Sequence, residues 1–134
     1  MISSSTAPAT APTGDEIKDE SDAIDYRKAL LRLNDNKSLY AILCRRFLAD
    51  REHTPQTILA ALERGDRIAA MRLTHTLKSL AGYVGAFGVY ESSRDLECAL
   101  KTAAMDSLAL SLAGLTNELR RAFHFLSSRS DLTR

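Results

Sequence analysis

The chain predicts an all-α fold, an up-and-down antiparallel four-helix bundle with a short additional N-terminal helix. Three observations carry this reading. From Ile24 onward apolar residues recur at spacings of three and four, no stretch alternates with period two, and the breaks between the apolar stripes are only a few residues long. Short breaks favour neighbours that run antiparallel, which is how a simple bundle is wound.

The elements follow in order. Asp25 can cap a short helix carrying Ala29, Leu30 and Leu33, and the LNDNK stretch stops it. Tyr40, Leu43, Cys44, Phe47 and Leu48 form the stripe of the next helix. Thr54 and Pro55 read as N-cap and first helical position of a run through Ile58, Ala61 and Leu62 that ends near Gly65. Asp66 can cap the helix that holds His75, which should end between Gly82 and Gly85. Three glycines in seven residues (82, 85 and 88) weaken it there. Val89, Leu96 and Leu100 mark a further helix. Met105, Leu108, Leu112, Leu115, Leu119, Ala122 and Leu126 mark the last. The bundle is thus expected over residues 23–129, with 1–22 a disordered linker or tail and 130–134 a C-terminal tail.

The 134 residues, 45% hydrophobic and 26% charged, suffice for one core. No apolar run is long enough to span a bilayer and no basic stretch followed by an apolar one opens the chain, so a cytoplasmic protein is expected. Cys44 and Cys98 fall inside helical stripes and read as buried thiols rather than a disulfide. The net charge of +1 hides an asymmetry: residues 1–25 sum to −5 and the remainder to +6. That excess is too dispersed for nucleic acid, and no basic stripe is interleaved with aromatics. It suits an acidic protein partner. The Ser, Thr, Ala and Pro of residues 1–22, followed by acids, bury almost nothing. Such a lead-in suits the end of a larger chain, whereas Met1 suits a freestanding protein, and the sequence leaves both open.

At 100° per residue, Ala69, Ala70, Leu73, Leu77, Leu80, Ala81 and Val84 fall on one side of the fourth stripe. Every one is apolar. Ile68, Met71, Arg72, His75, Lys78, Ser79 and Gly82 fall on the other, with His75 at its centre. A core histidine is therefore ruled out by phase, while an indifferent surface histidine would leave its neighbours unexplained. Arg72 and Lys78, three residues to either side, favour a neutral nucleophilic ring and offer counter-charge to an incoming anion such as a phosphoryl group. Ser79 and Gly82 keep the surface low beside the ring, and Ile68 and Met71 add an apolar patch that suits docking. No acid lies three or four residues from His75 to orient it as in a hydrolytic triad. Neither His53 nor His124 has ligand spacing to it, so no metal site is expected. With no glycine-rich phosphate loop after a strand, the histidine must take its catalyst from a partner.

The stretch HTLKSLAGYVGA (75–86) resembles the motif of histidine-containing phosphotransfer (HPt) domains of multistep two-component phosphorelays, roughly H-x-L-K-G-x-A-x-x-[ILV]-G-A. His75, Leu77, Lys78, Ala81, Val84, Gly85 and Ala86 match. Ser79 stands where glycine is commoner. The likeness extends from about 24 to 127 through Ala29-Leu30, Leu39-Tyr40, Leu43, Phe47, Gly65-Asp66 and Leu96-Glu97-x-Ala99. It implies that His75 is the phosphoacceptor and Lys78 assists phosphate. On the outward face read from helical phase, Ile68, Met71, Arg72, Ser79 and Gly82 are expected to meet the partner, which the resemblance makes a receiver domain of a hybrid histidine kinase or a response regulator. The receiver brings Mg²⁺, and the domain has no cofactor or ATP site of its own. A monomer is expected, either free in the cytoplasm or tethered as the C-terminal module of a membrane sensor kinase. Two alternatives belong to other classes. One is a scaffold that binds receivers without carrying phosphate; the other is a chemotaxis-kinase-like substrate domain phosphorylated directly by an ATP-dependent kinase core.

Overall fold

A computed structural model describes residues 23–102 and 105–133. Its helices are α1 (Tyr26–Arg32), α2 (Lys37–Asp50), α3 (Thr54–Glu63), α4 (Arg67–Val84), α5 (Phe87–Thr102), α6 (Met105–Ser127) and α7 (Ser130–Thr133), with no strand among the described residues. The expected all-α class is observed. The linker assigned to residues 1–22 lies outside the described residues.

Side-chain caps start three of the helices. Asp25, Asn36 and Asp66 each accept a hydrogen bond at 3.0 Å from the backbone N–H three residues on, satisfying a donor the helix cannot. α1 stops where Asn34 and Asp35 take positive φ of 55° and 60°, a region these short polar residues tolerate. The start of α3 differs from expectation by one residue: His53 is the cap, without a side-chain bond, and Thr54 and Pro55 are the first helical residues. Thr54 is buried. Its side chain is committed to packing, and Thr57 folds back to the His53 carbonyl instead.

α3 to α6 follow one another as antiparallel neighbours, and α3 also packs on α6, which closes the ring. Across α4 and α5, Arg67 bonds the Leu100 carbonyl while Tyr90 covers Gly82, so the two helices run in opposite directions. α2 bridges the C-terminal ends of α4 and α6. Its Tyr40 hydroxyl donates to the Val84 carbonyl at 2.7 Å, and Phe47 meets Phe123 with ring centroids 5.3 Å apart. Burial pushes the Tyr40 hydroxyl above its ordinary range and the Cys44 thiol up to about 11, so neither ionises there. The core between the helices is filled by Ile58, Leu77, Leu96, Leu108, Leu115 and Leu126.

Two positions depart from the sequence reading. Residues 130–134, read as a tail, contain α7, whose Leu132 is buried where α7 packs on α2 and the end of α6. A single leucine after a polar run carries no period, which is why the stripe analysis passed over it. Cys44 is buried as expected, but Cys98 is exposed. It follows Glu97 on the outer side of α5, beyond the stripe of Val89, Leu96 and Leu100.

Candidate functional site

The site is built on α4 and completed by α5. Asp66 starts α4, and Gly85 ends it at φ 84°, where its N–H bonds the Ala81 carbonyl. Only glycine fits here. A Cβ would stand 2.5 Å from the Asp25 carbonyl oxygen, and the Gly85 carbonyl accepts from the Asp25 N–H at 2.8 Å. The start of α1 is thereby clamped onto the end of α4.

The buried stripe of α4 is Ala70, Thr74, Leu77, Ala81 and Val84, while Ala69, Leu73 and Leu80 are only half-buried. It is rotated by roughly half a residue step from the purely apolar reading. Thr74 is the cause. Its hydroxyl bonds the Ala70 carbonyl at 2.8 Å, which lets a polar side chain sit at the centre of the core face.

The rotation leaves His75 outward, with its side chain 65% exposed, and moves its expected neighbours apart. Ile68, Arg72 and Ser79 are exposed as expected. Met71 is half-buried against the core, and Gly82 is buried under Tyr90 and Arg32. These two therefore belong to the flank that meets the bundle rather than to the open face. Lys78 is also turned inward, its side chain 20% exposed, with Nζ 6.0 Å from the centroid of the Tyr90 ring.

What draws Lys78 down is Glu97 of α5. One carboxylate oxygen accepts from Lys78 Nζ at 2.6 Å and the other meets His75 Nδ1 at 2.9 Å. No acid lies within a turn of His75 on α4, as the sequence shows, and the orienting acid comes from the next helix instead. An acid on the neighbouring helix, 22 residues away in sequence, does what none on α4 can. An ionised carboxylate only accepts, so Nδ1 donates to it, and in the neutral ring Nε2 is the nitrogen with the free lone pair. Burial opposes the charge on Glu97, but the hydrogen bonds from Lys78 and His75 outweigh it and hold its carboxyl below the ordinary glutamate range. The same bond to Glu97 holds the Lys78 ammonium above the ordinary lysine range. The pair is therefore ionised throughout the neutral range.

An exposed imidazole held by a carboxylate, with a lysine beside it on a helical bundle, has the chemistry to take a group on nitrogen. A family model for the Hpt domain matches residues 43–125, well over half of the chain. The chain belongs to the Hpt domain family. Hpt domains are histidine-containing phosphocarriers of two-component signalling rather than kinases, and they interact with receiver domains. Comparison with curated proteins gave no match, and neither did comparison with solved structures. Among the described residues of this Hpt domain, no helix is long and apolar enough to cross a membrane.

Glu97 is the residue at the site whose contacts with His75 and Lys78 the sequence reading missed, although it stands in the Leu96-Glu97-x-Ala99 stretch. An acid flanked by core positions Leu96 and Leu100 sits at the edge of a buried face, which is the signal that points it at a neighbouring helix.

Proposed function

We propose that this Hpt domain accepts a phosphoryl group on Nε2 of His75 from the aspartyl phosphate of one receiver domain and passes it to the aspartate of another. The observation that carries this reading is the pairing of His75 Nδ1 with Glu97 at 2.9 Å on an exposed side chain, which in the neutral ring makes Nε2 the nitrogen with the free lone pair. In the forward step the Nε2–phosphorus bond forms as the bond from phosphorus to the aspartyl oxygen breaks, and the carboxylate leaves without a proton. The ring, still holding its Nδ1 proton, becomes cationic. Glu97 is placed to stabilise that charge as it develops, and it is already oriented before the partner arrives. Transfer onward returns the ring to its neutral form.

Lys78 has two roles in this reading. It fixes the second oxygen of Glu97, and its ammonium lies one turn from His75, close enough to meet a phosphoryl oxygen. The receiver contributes the Mg²⁺ that neutralises the remaining phosphate charge. Ile68, Arg72 and Ser79 are the residues of α4 exposed around the ring for docking. The acidic site of a receiver suits the +6 balance of residues 26–134.

The test is transfer from a phosphorylated receiver. Acid-labile, base-stable label should reach wild type, His53→Gln and His124→Gln but not His75→Gln. Label retained by His75→Gln would reject the assignment. Label acquired only from a kinase core with ATP would favour direct phosphorylation, and receiver binding without label would favour a scaffold.

A further inference from the structure

A carboxylate fixes only the head of a lysine, and the four-carbon stem behind it keeps many rotamers unless something removes them. At Lys78 a second residue of α5 is placed to do so. Tyr90 and Glu97 are seven residues apart, so they stand on the same side of α5, about 10 Å apart along its axis. Lys78 lies between them, with Nζ 2.6 Å from the Glu97 carboxylate and 6.0 Å from the centroid of the Tyr90 ring. The second distance is the outer reach of a cation–π attraction, about 6 Å. The seat of the ring is Gly82. A Cβ there would stand 3.4 Å from Tyr90 Cδ2 and 3.7 Å from Cε2, so without one the ring lies close against the backbone of α4, one turn beyond Lys78. Side chains on a helix lean toward its N-terminus, so Lys78 leans toward the His75 turn with the Tyr90 ring behind it.

We propose that Tyr90 is a positioning residue for the His75 site: its ring, seated on Gly82, closes off the rotamers that would carry Lys78 away from Glu97. The effect on transfer rests on the function proposed for His75; the placement of Lys78 does not. Tyr90 acts through Lys78, and Lys78 acts through the carboxylate that orients the imidazole. Burial supports this. The Lys78 side chain is 20% exposed against 65% for His75 one turn away, which calls for more covering surface than a carboxylate offers. Tyr90 supplies it, being half-buried and packed against the core, and so is itself held in place. Both of its contacts run to the ring rather than to the hydroxyl. An ion pair whose lysine stem is free loses much of its attraction to rotamer freedom. With the stem restrained, the ammonium meets Glu97, or a phosphoryl oxygen beside it, already in place.

The experiment compares, as full chains, wild type, Tyr90→Leu, Tyr90→Phe, Lys78→Met and the double variant Tyr90→Leu with Lys78→Met. Two quantities are read: the pH midpoint of the Glu97 side-chain carboxyl by carbon-13 NMR, and single-turnover transfer from a phosphorylated receiver. In Tyr90→Leu the ammonium should hold Glu97 less firmly, which removes part of what favours the charged carboxylate. Its midpoint should therefore rise by about 0.5 pH unit, and transfer should slow about two- to fivefold. Tyr90→Phe, which keeps the ring, should restore both. With Lys78→Met there is no ammonium to position, so adding Tyr90→Leu should change neither. A midpoint that does not move in Tyr90→Leu overturns the proposal. So does an equal rise in the Lys78→Met background, because the ring would then act on Glu97 by packing alone. A Phe variant that behaves like Leu also overturns it, since the hydroxyl would be the acting group. The titration decides this whether or not His75 accepts phosphate. Where it does, an unchanged rate beside a raised midpoint overturns the part of Tyr90 in transfer.

Discussion

With Lys78 Nζ at 2.6 Å and His75 Nδ1 at 2.9 Å, the Glu97 carboxylate stays charged to a lower pH than an ordinary glutamate. A group whose value is lowered by folding adds stability that is fully present above its ordinary range and is lost as pH falls through the lowered value. Lys78, raised by the same contact, loses its share only as pH climbs past the ordinary lysine range. Between pH about 5 and 3 the thermal midpoint of wild type should therefore fall more steeply than that of Glu97→Gln, which has no charge to lose. Glu97→Gln keeps an acceptor for Nδ1 but not the counter-charge, so phosphotransfer should slow about tenfold, with Glu97→Ala slower still. Single-turnover transfer from a phosphorylated receiver checks this, and equal rates for Gln and Glu would show that orientation alone matters. Ser79→Trp tests the other side of the ring. Ser79 is exposed, so stability should move by less than about 1 kcal/mol, while receiver binding measured by calorimetry should be lost. Phosphorylation by phosphoramidate, a small donor, should persist.

At the scale of the element, α4 is placed by its two ends. Gly65 and Gly85 flank it with φ of 78° and 84°, yet their surroundings differ: no atom stands within 4 Å of a Cβ added at Gly65, while at Gly85 the Asp25 carbonyl stands at 2.5 Å. Gly65→Ala should cost only the backbone term, about 1 kcal/mol. Gly85→Ala must also push α1 off the end of α4 and should cost about 2–4 kcal/mol, read from denaturant midpoints. Similar losses at the two sites would mean that the clamp between α1 and α4 contributes little.

Over the whole molecule, the ring of α3 to α6 is closed at one end by α1, α2 and α7. α7 is short, and its packing depends on Leu132, which is buried beside α2. Leu132→Ala should lower stability by about 2–3 kcal/mol, as other buried leucines do, and thermal unfolding will show it. A midpoint within error of wild type would mean that α7 is a dispensable cover. His75 and Glu97 lie far along α4 and α5 from that end, so transfer by the folded variant should be unchanged.

The helices, their caps at Asp25 and Asp66 and the outward position of His75 were legible in the sequence because each depends on residues within one or two turns of itself. Period and capping are local, and α6 shows this best, with every position of its predicted stripe inside the core except Met105. The motif around His75 is equally local, which is why it pointed to phosphate. Thr74 was not legible, because burial of a hydroxyl depends on a backbone acceptor that a hydropathy pattern does not see. Leu132 was hidden by the lack of any period in four residues. Glu97 was hidden by distance along the chain. Sequence alone determined that a histidine would stand on the face of a helix; only the packing of α5 against α4 decided which of its nitrogens meets a carboxylate and that the neighbouring lysine is paired, because a hydrogen bond needs atoms within about 3 Å, whatever their separation in sequence.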